Sequence, residues 1–295
     1  MKVIIGSRES RLAVIQSEMV IDAIKKYDET IDVSLLTMKT TGDMILDKTL
    51  DKIGGKGLFV KELDKALLDK RADLTVHSLK DMPMEVSEQL PLLSFSRRED
   101  PRDALILRQG LKELPEAPVL GSSSLRRTLQ LARLYPDAEI RPVRGNVQTR
   151  LAKLDRGEFD AIVLAYAGIK RLSLEDRVSK LFSTAEILPA ACQGILAVQG
   201  RAGYKVPFLK DFDDEEARFA ALAERSYVRT LDGGCSSPVA AYAVIDGDKI
   251  TISGFYVDEK EHQYIDQITG NKEDGEALGR ELALSMKKKA EESHE

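Results

Sequence analysis

Val3-Ile4-Ile5-Gly6-Ser7-Arg8-Glu9-Ser10-Arg11 opens the chain, and Val119-Leu120-Gly121-Ser122-Ser123-Ser124-Leu125-Arg126-Arg127 repeats its grammar in the middle. Each is a short apolar strand that runs through Gly-Ser into a helix with arginine in its first turns. After the first, Leu12, Ile15, Met19 and Ile24 fall at helical spacing up to Tyr27. A second echo comes after each copy. Leu68-Asp69-Lys70-Arg71-Ala72-Asp73-Leu74-Thr75-Val76 is matched by Leu154-Asp155-Arg156-Gly157-Glu158-Phe159-Asp160-Ala161-Ile162-Val163. Two similarly wound α/β lobes with mixed sheets account for this most economically.

Working outward, Asp100-Pro101-Arg102-Asp103 reads as the first crossing between lobes, and Leu188-Pro189-Ala190-Ala191-Cys192-Gln193-Gly194 as the return. From residue 213 the pattern becomes a helix, three alternating segments at 239–245, 249–257 and 262–268, and a charged helix from 273. That predicts a small α+β domain built on a three-stranded antiparallel sheet. The expected domains are 1–96 with 195–212, then 100–188, then 217–295. Residues 42–57, which contain Gly54-Gly55-Lys56-Gly57 and little apolar periodicity, read as a mobile loop or lid. In such folds ligands are expected at the carboxyl ends of strands, between the lobes.

The bulk composition narrows the function classes. A chain of 295 residues, 43% hydrophobic and 32% charged, is globular and long enough for more than one core. No apolar run reaches the roughly eighteen residues of a membrane span, and the N-terminus enters a strand without a signal-type segment, so a cytoplasmic protein is expected. A net charge of −5 and the lack of tryptophan give nucleic acid neither a basic field nor stacking platforms. Three histidines, His77, His262 and His294, show no metal-ligand spacing, and no metal is expected. Two cysteines do not make a disulfide framework. No obvious interaction helix stands out, so a monomer is expected.

The loop Leu231-Asp232-Gly233-Gly234-Cys235-Ser236-Ser237-Pro238 places one cysteine behind two glycines. It reads either as a thiol presented for attachment of a bulky group, or as a small residue filling a gap. Cys192, between alanines and a glycine, reads as core packing.

A helix N-terminus is electropositive, so arginines in the first turn are misplaced for stability. Arg8 and Arg11, Arg126 and Arg127, Arg144 and Arg150 in Arg144-Gly145-Asn146-Val147-Gln148-Thr149-Arg150, and Arg171 all stand at strand-to-helix junctions. With Ser10, Ser122, Ser123 and Ser124 they form candidate anion sites, although any one of them alone reads equally as solvated surface. Guanidinium forks favour planar bidentate anions, carboxylate or phosphate. Asp81 ends a predicted strand, either as a turn former or as a carboxylate that stabilises a cationic intermediate. His77 reads as structural, or as the residue that orients the turn from Ser78 to Asp81.

Gly54-Gly55-Lys56-Gly57-Leu58-Phe59-Val60-Lys61-Glu62-Leu63, Val76-His77-Ser78-Leu79-Lys80-Asp81, Gly121-Ser122-Ser123-Ser124-Leu125-Arg126-Arg127, the Arg144 to Arg150 motif and Gly233-Gly234-Cys235 occur in this order over nearly the whole chain. In these motifs the chain resembles the porphobilinogen deaminase (hydroxymethylbilane synthase) family. The resemblance implies two lobes like those of periplasmic binding proteins, a third domain, and a dipyrromethane cofactor attached covalently to Cys235. It implies a transferase that joins four porphobilinogen molecules head to tail with loss of ammonia, then releases linear hydroxymethylbilane with water. It further implies Asp81 as the catalytic carboxylate, acting on pyrrole N–H groups. Ser10, Lys80, Ser122, Ser123, Ser124, Arg126, Arg127, Arg144 and Gln193 would contact the cofactor. Arg8, Arg144, Arg150, Arg171 and Phe59 would contact substrate, with Lys52 and Lys56 on the lid. Arg11 has no such counterpart. Gln199 and Gly200 depart from an acidic residue expected after the return crossing. The competing class is a noncatalytic two-lobed carboxylate-binding protein, which leaves the Gly-Gly-Cys loop and third domain unexplained. A phosphoryl transferase is weaker still, without a P-loop or a magnesium carboxylate pair.

Overall fold

The computed structural model describes residues 1–44, 60–233 and 238–293. Lys52, Lys56, Phe59 and Cys235 lie outside these residues. The chain divides into two compact units, Met1–Glu99 with Gly194–Arg218, and Asp100–Gln193 with Phe219–Glu295.

In unit 1, strands β1 (Lys2–Arg8), β2 (Asp32–Met38), β3 (Leu74–Ser78), β4 (Leu92–Phe95) and β10 (Leu196–Gly200) form one sheet in the order β2-β1-β3-β10-β4. The first three are mutually parallel, and β10 runs antiparallel to both its neighbours. Helix α1 (Arg11–Tyr27) starts at Ser10, whose hydroxyl accepts from Ala13 N at 3.4 Å. It buries Ala13, Val20 and Ile24 at helical spacing and ends with Lys25 and Lys26, where cations suit the dipole. Among the described residues, a helical turn α2 (Thr41–Met44) and helix α3 (Lys61–Leu68) come next. Val3, Ile5, Val20, Ile24, Leu74 and Val198 belong to one buried cluster of sheet and helix side chains.

Unit 2 repeats the frame. Strands β5 (Asp103–Leu107), β6 (Val119–Gly121), β7 (Glu139–Arg141), β8 (Ala161–Ala165) and β9 (Lys180–Leu181) take the order β7-β6-β8-β5-β9, with β5 antiparallel to β8 and β9. Helices α4 (Leu125–Leu134), α5 (Val147–Asp155) and α6 (Tyr166–Arg171) come after β6, β7 and β8. Strands β5 and β10 hold the same position in their sheets, and each begins shortly after the chain passes from one unit to the other. Both are short and almost wholly buried. They lack the alternation that marks a half-exposed strand, which is why pattern reading finds the crossings but not these strands.

The repeat extends to single atoms. Asp73 accepts from Ile4 N at 2.9 Å, and Asp160 from Val119 N at 2.9 Å. Each carboxylate ties the strand placed second in its sheet, β1 or β6, to the turn before the strand placed third, β3 or β8. A Cβ on Gly6 would come 2.9 Å from Thr75 Cγ2, and one on Gly121 2.8 Å from Ile162 Cγ2, so both sheets require glycine at this point.

Residues beyond 219 group with 100–193. Strands β11 (Ala240–Asp246), β12 (Lys249–Val257) and β13 (Gln263–Asn271) form an antiparallel sheet, accompanied by helices α7 (Glu215–Thr230) and α8 (Gly275–Glu292). Ala240, Phe255 and Val257 pack with Leu188 and Leu129 of the preceding lobe. Helix α7 closes with Gly233 N bonded to Val228 O and Asp232 N to Arg229 O. Asp232 sits at φ 52 where glycine is usual, a Schellman cap that ends the helix just before Cys235.

Candidate active site

In unit 1 the site is built at the carboxyl end of β3. Leu74 to His77 is a fully buried run, after which a 3-10 turn, Leu79–Asp81, is closed by Met82 N to Leu79 O at 3.1 Å. Leu79 N also donates to Ile195 O at 3.0 Å. Leu79 and Met82 are pinned in the core, which leaves Lys80 and Asp81 half-buried between them. Gln16 of α1 donates to Ser78 Oγ at 2.9 Å and fixes the strand end against the helix. Arg8, Ala13, Gln16, Val60, Val76, His77, Ser78 and Asp81 line one pocket. It therefore combines a guanidinium, a carboxylate and three neutral hydrogen-bonding groups, Gln16, His77 and Ser78, with the apolar Ala13, Val60 and Val76.

His77 is buried, and its Nε2 lies 2.9 Å from Thr75 Oγ1. Burial pushes its pKa down to about 4; a hydrogen bond from the Gln199 side works against this and the Arg8 charge adds to it.

Unit 2 gathers its arginines differently. Helix α4 has no acid in its first turn and no side-chain bond from its N-cap Ser124. Arg126 and Arg127 turn inward instead of outward. Arg126 donates to Asp103 Oδ2 at 2.8 Å and Leu188 O at 2.6 Å. Arg127 donates to Asp103 Oδ1 through Nη2 at 2.7 Å and Nε at 3.1 Å, and to Val163 O at 3.2 Å. Gln193 adds a bond to Asp103 Oδ1 at 2.9 Å and another to Pro101 O at 2.7 Å. Burial alone would raise the Asp103 pKa, but the two guanidiniums hold it well below the usual carboxylate range. Burial lowers that of Arg126. This buried knot carries two cations against one anion, and Arg126 Nε is buried with no partner among the described residues. A surplus positive charge and an unused N–H fit an anionic group.

Around the knot, Ser122 Oγ accepts from Ser124 N at 3.3 Å and Ser123 Oγ donates to Val143 O at 2.8 Å, which shapes the turn before α4. Arg144 and Arg150 are half-buried and share the turn before α5, where Arg150 Nε donates to Gly145 O at 2.8 Å. Asn146 caps α5 by accepting from Thr149 N at 2.9 Å. Arg171 is half-buried at the last residue of α6. Cys192 is buried, with its N–H bonded to Glu224.

The structure thus joins Arg8 with Asp81 in one pocket, and Arg126 and Arg127 with Gln193 on one carboxylate. Sequence reasoning misses Asp103, Gln16 and Thr75. A signal for Asp103 exists in principle: adjacent arginines on the inward face of a helix require a buried counter-charge.

The model for the porphobilinogen deaminase dipyrromethane-cofactor-binding domain matches residues 3–206, and that for the porphobilinogen deaminase C-terminal domain matches residues 218–288. The chain belongs to the porphobilinogen deaminase family. A porphobilinogen deaminase of Alkaliphilus oremlandii is 58% identical over 287 residues, covering 97% of this chain and 97% of the relative. One of Acetivibrio thermocellus is 56% identical over 291 residues, covering 99% and 100%. Among solved structures, the periplasmic VFT2 domain of Bordetella pertussis BvgS aligns at TM-score 0.41 and 16% identity, over 69% of this chain and 82% of that one. Membership of the porphobilinogen deaminase family makes this chain a transferase of tetrapyrrole biosynthesis that uses a dipyrromethane cofactor. No helix among the described residues is long and apolar enough to cross a membrane.

Proposed function

We propose that Asp81 is the carboxylate on which head-to-tail condensation of porphobilinogen depends in this chain, and that Cys235 carries the primer. The observation that carries the reading is the unit 1 pocket, which Asp81 and Arg8 both line. When bound through Cys235, dipyrromethane supplies the anchored pyrrole end to which each new unit is joined.

Porphobilinogen loses ammonia when its aminomethyl C–N bond breaks with the electron pair leaving on nitrogen, and the pyrrole becomes an azafulvene cation. Asp81 accepts the pyrrole N–H and lowers the energy of that cation as charge develops. Arg8 holds a substrate carboxylate in the same pocket, since each pyrrole bears an acetate and a propionate. In unit 2, Arg126 and Arg127 with Gln193 and the serines Ser122, Ser123 and Ser124 serve the carboxylates of the primer. Arg144, Arg150 and Arg171 serve those of the growing chain, and Ser10 and Lys80 the primer. Phe59 packs against the substrate ring, and Lys52 and Lys56 belong to the lid. Residues 1–96 with 195–212, 100–188 and 217–295 act as three domains, a division supported by one sheet in each. The protein works as a cytoplasmic monomer.

The test combines mass and turnover. Wild-type protein carries two condensed pyrrole units on the Cys235 peptide. Asp81→Ala keeps them but forms almost no hydroxymethylbilane. A primer mapped to another residue removes the Cys235 assignment, and normal turnover by Asp81→Ala removes the catalytic one.

A further inference from the structure

At matched positions the two sheets differ in a way that the fold does not require. Strand β8 of unit 2 places Ile162 and Leu164 in the core, and Ile106 pairs across from Ile162. In unit 1 the corresponding residues are Thr75, His77 and Gln199, which pairs across from Thr75. All three are buried. A frame that closes with isoleucine and leucine in one lobe has no structural need of a buried imidazole in the other.

The hydrogen bonds have one consistent direction. Gln199 Nε2 donates to Leu90 O at 2.9 Å, so Oε1 is the atom turned to Thr75. The Thr75 hydroxyl donates to that oxygen at 3.4 Å, and its own oxygen therefore accepts from His77 Nε2. Nε2 carries the proton. In a neutral ring protonated there, Nδ1 is the acceptor nitrogen, and His77 lines the pocket together with Arg8 and Asp81. The charged groups around this relay are Arg8 on β1, Lys80 and Asp81 on the turn, and Asp64 on α3, whose carboxyl pKa burial raises and Gln199 partly lowers. Gln16 from α1 is neutral.

We propose that Thr75 and Gln199 hold His77 as its neutral Nε2–H tautomer, so that Nδ1 is a hydrogen-bond acceptor for an N–H donor of the substrate and the ring adds no positive charge to those already near Asp81. The departure at Gln199 from an acidic residue then has a consequence in this chain: an amide behind Thr75 leaves His77 uncharged. The proposal rests on the role given to Asp81 above.

The decisive measurement is a long-range nitrogen-15 spectrum of the holoenzyme, which has only three histidines. His77 is expected to show the neutral Nε2–H pattern without titrating between about pH 5 and 8. Titration within that range, or an Nδ1–H pattern, overturns the proposal. This readout stands whether or not the protein turns over porphobilinogen, so loss of the functional reading is seen separately. In Gln199→Glu the imidazolium pattern is expected at pH 7, with kcat down about tenfold and recovering as pH rises, while KM changes little. A cationic His77 with the wild-type pH profile overturns it. Thr75→Val, mild because unit 2 has an isoleucine there, gives a mixed tautomer and lower kcat even if the glutamate variant fails to fold. A mixed tautomer with unchanged kcat counts against the proposal.

Discussion

Strands β3 and β8 occupy the same place in two sheets of the same order, yet the segments after them carry different chemistry. After β3 the chain makes a 3-10 turn that presents Lys80 and Asp81; after β8 it enters α6 directly through Tyr166, Ala167 and Gly168. The first helices differ as well. Helix α1 leaves Arg8 half-buried in a pocket with Asp81, whereas α4 drives Arg126 and Arg127 into the core against Asp103. A duplicated frame therefore carries an open carboxylate in one copy and a closed, positively charged knot in the other. The frame belongs to folding, and the differences at matched positions belong to function.

The largest expected effect falls on the open carboxylate. Asp81→Asn preserves shape and removes charge, and kcat should fall about a thousandfold, the scale of losing a preorganised electrostatic group. Stability in urea should move by less than about 1 kcal/mol, because Asp81 is half-buried in a turn whose anchors are Leu79 and Met82. A loss of folding comparable to the loss of rate would erase the distinction between the two lobes.

Asp103→Asn should do the reverse. It strands two buried guanidiniums, and removing one partner of such a group typically costs about 3–5 kcal/mol. Urea denaturation measures this directly, and a cost below about 1 kcal/mol would mean that the arginines are not held by Asp103. The local sequence hides this residue. Asp100 and Asp103 flank the same Pro-Arg pair, but Asp100 folds back on Arg102 at 2.6 Å while Asp103 is wholly buried. Nothing local distinguishes them. Burial of Asp103 depends on arginines more than twenty residues away, and the Thr75 to Gln199 contact spans 124 residues. By contrast, the Gly-Ser repeats, α7 and the three C-terminal strands are legible because period and turn chemistry are local.

Lowering the pH should separate the lobes in order. His77 has a depressed folded pKa, so between about 6.5 and 4 the unfolded chain binds the extra proton, and stability falls as pH drops through that window. The loss is up to about 3 kcal/mol at a shift of this size. Asp103 is also held below its ordinary value, but its contribution is complete above about pH 4 and disappears only as pH falls further. Unfolding monitored by probes in each unit should thus register unit 1 first. His77→Leu, which copies Leu164 of the other sheet, should flatten the upper window and leave the lower one.

The smallest effect tests whether the shared frame is energetically shared. Asp73 and Asp160 make the same bond to matched strands of their sheets, β1 and β6, each at 2.9 Å. Asparagine at either site keeps an oxygen for that bond but loses the charge, so each substitution should cost about 1 kcal/mol. The cations behind them are not equal. Arg201 approaches Asp73 to 3.0 Å in a hydrogen bond and also holds Leu67 O and Ala72 O, whereas Arg108 stands 3.5 Å from Asp160. Asp73→Asn should therefore exceed Asp160→Asn by a few tenths of a kcal/mol, the margin between a bonded and a looser surface pair. Equal costs would locate the clamp entirely in the backbone bond. A larger cost at Asp160 would mean that the two sheets, alike in order and register, are not secured by the same atoms.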